Sequence, residues 1–485
     1  MAGNKDKREA LGVTVKKDEN FSEWYNDVVL KADLVDYAPT KGCMIIKALG
    51  FGIWENIKKV MDAEFKKTGV RNYYFPLFIP ESTLKKEAEH FEGFTPEVAW
   101  VTHGGDTKLS EKLAIRPTSE TIMYEVFSKW IRSWRDLPLL TNQWCNVVRW
   151  ETKATKLFLR TREFLWQEGH TVHATKGEAD KQVLEKLEIY KKVVEEYLAI
   201  PVIKGVKSEM EKFAGALYTT TIESLMSDGK ALQMGTSHNL GQHFAEVFDI
   251  KFSDKDGKEK LVWQTSWGTS TRLIGALVMV HGDDKGVVLP PKIAPIHVVI
   301  IPINFHEDKK VLKEAEKIRE RLEKKGYNVE MDDREEYSPG WKFNEWELKG
   351  IPVRIEIGTR DLKNQEVVMV RRDTLEKSDI KISDIEATAE KMLDDIQKNL
   401  YKKAKKFLES NTRVAENKEQ FKDILKKKKG LIKIKWCENR ECEEAIKDET
   451  GATSRLKEFK QKKISGKCAY CGKEAKAEWY FSKSY

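Results

Sequence analysis

The run Val287-Val288-Leu289-Pro290-Pro291-Lys292-Ile293-Ala294-Pro295 places three prolines within six residues. Proline fixes φ and offers no amide donor, so such a run neither continues a helix nor occupies a central strand. The chain must fold as separate units on either side of a stiff connector. With 485 residues, 40% of them apolar, each unit has enough material for a core. Before the connector, residues 21–286 mix amphipathic helices such as 178–197 with β-rich apolar runs such as 139–150 and 261–267. That pattern predicts an α+β sheet domain. After it, strand-like runs at 296–303, 328–331 and 353–357 alternate with helix-like runs at 309–325 and 340–349, predicting an α/β sheet with parallel strands to about residue 398. A Lys-rich helical stretch, 401–429, leads into a cysteine-rich tail. The expected division is a polar extension 1–20, an α+β domain 21–288, an α/β domain 289–400 and a C-terminal domain 401–485.

The polar N-terminus and the lack of any long uncharged apolar run predict neither a secretory leader nor a membrane span, and hence a cytoplasmic location. A net charge of +8 suits a polyanionic partner without requiring one. In that compartment the cluster Cys437, Cys442, Cys468 and Cys471 reads as a metal site before it reads as disulfides. Two close pairs of thiolates, one in a Gly466-Lys467-Cys468-Ala469-Tyr470-Cys471-Gly472 knuckle, suit a structural tetrahedral zinc. Cys43 and Cys145 read as buried apolar residues.

Neither common glycine-rich phosphate loop is present in the sequence, so a nucleotide would have to be held by side chains. Three blocks offer them: Arg149-Trp150-Glu151, Arg160-Thr161-Arg162-Glu163-Phe164, and Gly268-Thr269-Ser270-Thr271-Arg272 opening a helix. An arginine fork binds phosphate oxygens bidentately, and a carboxylate holds magnesium or an adenine amino group. Taken singly, such blocks are as readily surface ion pairs and helix caps.

In this order they resemble motifs 2 and 3 of class II aminoacyl-tRNA synthetases, with residues 51–67 and 73–80 resembling motif 1, the dimer interface of that family. The resemblance implies an antiparallel-sheet catalytic domain, followed by an α/β anticodon-binding domain and a small C-terminal zinc-binding domain. It narrows to prolyl-tRNA synthetases of the archaeal and eukaryotic type on Phe21-Ser22-Glu23-Trp24-Tyr25, Arg116-Pro117-Thr118-Ser119-Glu120, residues 142–151, Phe164-Leu165-Trp166-Gln167-Glu168-Gly169-His170 and Gln233-Met234-Gly235-Thr236-Ser237-His238. Many relatives have Thr-Pro-Glu where this chain has Thr118-Ser119-Glu120. The resemblance further implies ATP with Mg2+, L-proline and the proline tRNA as substrates, and a homodimer. Arg149 would meet the α-phosphate, Glu151 and Arg160 adenine and the outer phosphates, with Glu151 nearest the magnesium, Phe164 would stack on adenine, and Arg272 would hold the γ-phosphate. Thr161, Gln233, Thr236 and Ser270 would complete the ATP contacts.

Thr118 and Glu120 would take the proline ammonium, Trp166 and Phe213 would wall the ring, His238 would close the pocket, and Glu168 and His170 would support its floor, with Arg149 shared by both substrates. Only about 110 residues separate motifs 2 and 3, too few for the large editing domain of bacterial-type relatives. The run Gly350-Ile351-Pro352-Val353-Arg354-Ile355-Glu356-Ile357-Gly358 carries the likeness to the anticodon domain, where Trp341, Lys342, Glu345 and Arg354 are the expected base contacts. Two rivals remain. A threonyl enzyme would hold catalytic zinc through a cysteine and two histidines, yet Cys145 has no obvious histidine pair, and a non-catalytic paralogue should lack Arg149 or Arg272. Four aromatics in the last seven residues predict a docked C-terminus, with the carboxylate of Tyr485 near the active site by the resemblance.

Overall fold

The computed structural model describes residues 12–88, 98–150, 155–427, 429–462 and 464–485. Its centre is a seven-stranded sheet of β1 (Arg71–Asn72), β2 (Leu139–Val148), β3 (Glu163–His173), β4 (Ile203–Val206), β5 (Tyr218–Leu225), β6 (Ala231–Gly241) and β7 (Trp263–Ser270), in the order β1-β2-β3-β7-β6-β5-β4. Every pairing is antiparallel except β1 with β2.

Helices α1 (Phe21–Lys31), α2 (Ala48–Lys67), α3 (Lys176–Glu196) and α4 (Arg272–His281) build the core with this sheet. Helix α3 starts at a capping box, Thr175 with Glu178, which satisfies two otherwise orphaned amides. Its residues 179, 183, 187, 190, 193 and 194 recur at helical spacing and are buried against the sheet. Each large apolar side chain there contributes at most about 1.5–3 kcal/mol. On β3, Gly169 has no substitute: a Cβ there would run into the ring of Trp267, which is buried beside Phe65.

The connector is docked rather than free. Val287, Leu289 and Ile293 share a core with Trp346, Leu348 and Ile351, and the amides of Val287 and Leu289 donate to the carbonyls of Leu348 and Gly350. The second sheet comprises β8 (Val298–Pro302), β9 (Val329–Met331), β10 (Val353–Ile357), β11 (Glu366–Arg371) and β12 (Lys377–Lys381), in the order β9-β8-β10-β11-β12. The three strands read from the sequence, β8, β9 and β10, pair in parallel, and β11 and β12, which the sequence reading did not name, add on antiparallel. A parallel crossover needs a dozen or more residues, and the short link from Ile357 to Glu366 returns the chain antiparallel instead.

The expected continuous helix over 401–429 is also interrupted. Helix α5 (Ile385–Ser410) passes through Tyr401 and stops, the chain forms β13 (Thr412–Val414), and α6 (Lys418–Lys427) follows. Asn411 and the β-branched Thr412 and Val414 favour the break, and β13 gains a parallel partner in β14 (Leu431–Trp436). With β15 (Thr453–Leu456) and β16 (Ala477–Ser482) these form a four-stranded sheet, β13-β14-β16-β15. Among the described residues no helix is long and apolar enough to cross a membrane.

Candidate active site

Alternation along β3 puts Phe164, Trp166, Glu168 and His170 on one face of the sheet. They line a cavity of about 280 Å³ with Thr118, Glu120, Arg149, Phe213, Gln233, Thr236, His238, Ser270 and Arg272. A bulge brings Gln233 there. Gly235 pairs with Ile222 but Gln233 pairs with Glu223, so Met234 is an extra residue that turns Gln233 to the same face as Thr236 and His238.

One end of the cavity is acidic and aromatic. The Thr118 hydroxyl donates to the Glu120 carboxylate, and both residues are buried. Glu168 accepts from the backbone amide of Ser119 (3.2 Å) and its hydroxyl, from Gln143 (3.1 Å) and from His170 Nε2 (3.1 Å). Burial alone would raise the Glu168 carboxyl, yet the hydrogen bond and charge of His170, with Ser119 and Gln143, hold it below its ordinary value. Burial opposes the charged form of His170 in turn, but Glu168 and the nearby Glu120 push its pKa above 6.5. The Tyr124 hydroxyl lies 2.9 Å from the other ring nitrogen. Two carboxylates, Glu120 and Glu168, with the imidazole of His170 make this end of the cavity acidic. The ring of Phe213 lies 4.9 Å from that of His238, and the Thr219 hydroxyl is 2.9 Å from His238 Nδ1. Burial and the charge of His170 lower the pKa of His238 to about 3, so it is a neutral, polar wall.

The other end is basic. Arg149 lies over the rings of Phe164 (5.6 Å) and Trp166 (5.4 Å) and donates to the carbonyl of Pro117 (3.1 Å). Arg272 opens α4, with its amide held by Ser270 Oγ at 3.2 Å. Burial first, then the charges of Arg149 and Arg160, lower the Arg272 pKa to about 10. Cations that repel one another in this way are a site prepared for a multiply charged anion.

Two expected ATP contacts stand apart. Thr161 faces a smaller recess with Tyr37 and Gly42, because its hydroxyl is captured at 2.7 Å by the carbonyl of Glu163. Arg160 is exposed and acts on Arg272 by its charge without lining the cavity. Glu151 lies outside the described residues. Sequence reasoning missed Glu211, Thr219 and Ser266, which also line the cavity. Alternation along β5 from Thr219 was a usable signal for that residue, whereas Glu211 sits on a loop without periodicity. Cys145 is a protonated thiol, pushed up to about 12 by burial and by Glu168.

In the second unit, Lys342 and Arg354 are not available to a base. Lys342 is buried and donates to the carbonyl of Asp332 (3.0 Å), and Arg354 is buried against Glu356 (2.8 Å) and Glu347 (3.0 Å). Both are buried, Lys342 on the helix Pro339–Lys349 and Arg354 on β10, where a charge persists only when paired. Glu345 pairs with Arg334 and Lys349. Trp341 is at the surface, stacked on Tyr337 at 3.8 Å and 13°, with Arg334 about 5 Å from both rings.

The four cysteines of the tail converge, with all sulfurs within 4.8 Å of one another, Cys437–Cys471 at 3.5 Å and Cys442–Cys468 at 3.9 Å. These are not disulfide distances. A tetrahedron of sulfurs about 2.3 Å from a metal has edges of about 3.8 Å, and the cluster fits it. The C-terminus docks on the first unit: the Tyr485 amide donates to Ala231 O and its hydroxyl to Asp228 (2.7 Å), with Lys156 and Lys230 over its ring.

Residues 100–281 match the model described as tRNA synthetase class II core domain (G, H, P, S and T), residues 297–392 an anticodon binding domain, and residues 418–485 the C-terminal domain of prolyl-tRNA synthetase. The chain is 56% identical to a proline--tRNA ligase of Alkaliphilus oremlandii, over 96% of each chain. It is 54% identical to the proline--tRNA ligase of Natranaerobius thermophilus and 52% to proline--tRNA ligase 2 of Clostridioides difficile, over 99% of this chain and 100% of each relative. With likeness of that degree along its whole length, the chain belongs to the prolyl-tRNA synthetase family of class II aminoacyl-tRNA synthetases.

Proposed function

We propose that this chain activates L-proline with ATP and Mg2+ as prolyl-adenylate and transfers the prolyl group to the 3′ end of the proline tRNA, in the cytoplasm. The carrying observation is the opposition, inside one cavity, of an acidic, aromatic end and an arginine-rich end. A secondary ammonium suits Glu120 and Thr118, a small apolar ring suits the walls of Trp166 and Phe213, and a triphosphate suits Arg149 and Arg272. The amino-acid carboxylate must attack an already anionic phosphorus, so the site's work is alignment and neutralisation of charge, with no general base required.

The four-sulfur cluster would hold a structural zinc, since it offers no open coordination position. A homodimer is supported by the motif 1 surface, where Tyr74 is 75% exposed and Phe78 45%. The short segment between motifs 2 and 3 favours the archaeal and eukaryotic layout, here in a chain whose named relatives are bacterial. Without an inserted editing domain, discrimination against alanine rests on about 1–3 kcal/mol of lost ring contact, and misactivated alanine would need correction by another protein. Anticodon recognition falls to the second unit, with the Trp341 shelf as the stacking surface. The test is pyrophosphate exchange into ATP with each amino acid in turn. Strong exchange with proline is expected, and strict dependence on threonine, or no exchange at all, overturns the reading.

A further inference from the structure

The C-terminal sheet reaches into the first unit through one side chain. Val206 on the edge strand β4 exchanges backbone hydrogen bonds with Lys457 (2.8 and 2.9 Å), and Gly205 leaves room for the approach, since a Cβ there would strike the Lys457 carbonyl. Two residues earlier, Arg455 lies buried between the sheets and grips the Glu223 carboxylate, through Nε (3.0 Å) and Nη2 (2.8 and 2.9 Å). Lys207 donates to the same carboxylate at 2.6 Å. Two cations on one buried carboxylate exceed what neutralisation needs. Between them they occupy both carboxylate oxygens, Oε1 from Lys207 and Arg455 and Oε2 from Arg455.

Glu223 is on the cavity's face of the sheet. It alternates with Thr219 and Thr221, and the partners of these three residues on β6 are Gln233, His238 and Thr236, all of which line the cavity. The charges of Glu223 and Arg455 both act on Arg272. Without Arg455, Lys207 would still hold Oε1, but Oε2 would lose its partner and be open to another cation on that face of the sheet.

We propose that Arg455 is a positioning residue for the ATP end of the cavity: it saturates Glu223 and so keeps that carboxylate from pairing with Arg272, whose guanidinium stays open to the triphosphate. The inference rests on the proposed role of Arg272 in ATP binding. Through it the C-terminal domain sets the charge of the active site without touching a substrate.

The experiment is proline-dependent pyrophosphate exchange over an ATP titration, in wild type, Arg455→Met, Arg455→Lys, Glu223→Gln and the double variant Glu223→Gln/Arg455→Met. Arg455→Met is expected to raise KM for ATP about tenfold, the scale of a lost charge-assisted contact, with KM for proline within about twofold. Arg455→Lys keeps the charge, and with it the fold, but loses the fork, and should raise KM for ATP by about threefold. The double variant should return KM for ATP to within about threefold of wild type, because an amide cannot capture Arg272 as an ion pair. A docking role alone would not be rescued this way. An unchanged ATP KM in Arg455→Lys, or a double variant as impaired as Arg455→Met, overturns the proposal. Absence of exchange in wild type would instead overturn the proline-activating function itself.

Discussion

Arg272→Gln should make the ligand-free protein more stable while making it a poor enzyme. The Arg272 guanidinium is disfavoured by burial and by Arg149 and Arg160, which lower its pKa from the usual arginine range to about 10. Such a depression equals about 3 kcal/mol of penalty on the charged form. The group is partly open to the cavity, so solvent screening trims the figure. The substitution also gives up a weak 3.4 Å bond to the carbonyl of Leu159, leaving roughly 1–2 kcal/mol of net stabilisation. The sign follows from linkage: the folded-state pKa is depressed, so the charged form is penalised at every pH below about 10 and the penalty lifts only above it. A gain of that size corresponds to roughly 2 to 8 °C in Tm for a domain of this size. Thermal unfolding with and without ATP and Mg2+ is the assay. Wild type should gain markedly from ATP, because the phosphates relieve the repulsion, whereas Arg272→Gln should start higher and gain little. A variant less stable than wild type yet equally stabilised by ATP would refute the idea that these arginines are held in mutual repulsion.

Metal analysis of protein purified without chelator should find one zinc per chain, and Cys468→Ser should release it, with binding weakening as pH falls because thiolates must form. Phe213→Ala should raise KM for proline about 30- to 150-fold, the kinetic equivalent of a lost apolar wall of about 2–3 kcal/mol, while KM for ATP stays within about twofold in exchange assays. Glu168→Gln should cost about 3–5 kcal/mol by urea unfolding at pH 5.5, since it strands a buried imidazolium. The His170 contribution is complete below its unfolded pKa of 6.5 and fades as pH rises through its raised folded value, while that of Glu168 is complete above 4.5 and fades as pH falls through its lowered one, so the loss should shrink towards pH 9.

One wall of the cavity was legible because strand geometry is local. Phe164, Trp166, Glu168 and His170 sit at alternate positions on β3, and a two-residue period needs no tertiary information to place them on one face. Gln233 and Thr236 are three apart, a spacing that contradicts a shared face until the bulge at Met234 is known, and only the register with β5 reveals it. Lys342 and Arg354 illustrate the opposite failure. Charged residues in an apparently exposed helix and a β-run were expected to meet a base, but Lys342 is taken by Asp332 and Arg354 by Glu347, which lie outside their own elements; only the second partner of Arg354, Glu356, stands beside it in the sequence, two residues on and on the same face of the strand. The interruption at Asn411 was hidden for a similar reason: Lys-rich flanks have good helix propensity, and the strand pairing that outweighs it comes from residues after 430. The grip of Arg455 on Glu223 joins positions far apart in the chain and has no local signature at all.

The edge strand Ile203–Val206 acquires its outer neighbour only when Lys457 arrives, about 250 residues later. At roughly 5–20 residues per second, a ribosome needs roughly 12–50 s to make that stretch. For that interval the catalytic sheet of every nascent chain carries an unpaired edge, and neighbouring chains on one messenger carry the same edge, the geometry that favours pairing between copies. The strand is only four residues long and bears Lys204, features that blunt such an edge. Its modest length therefore matters during synthesis as well as in the finished enzyme, and products truncated before residue 457 should accumulate as aggregate rather than as a smaller working catalyst.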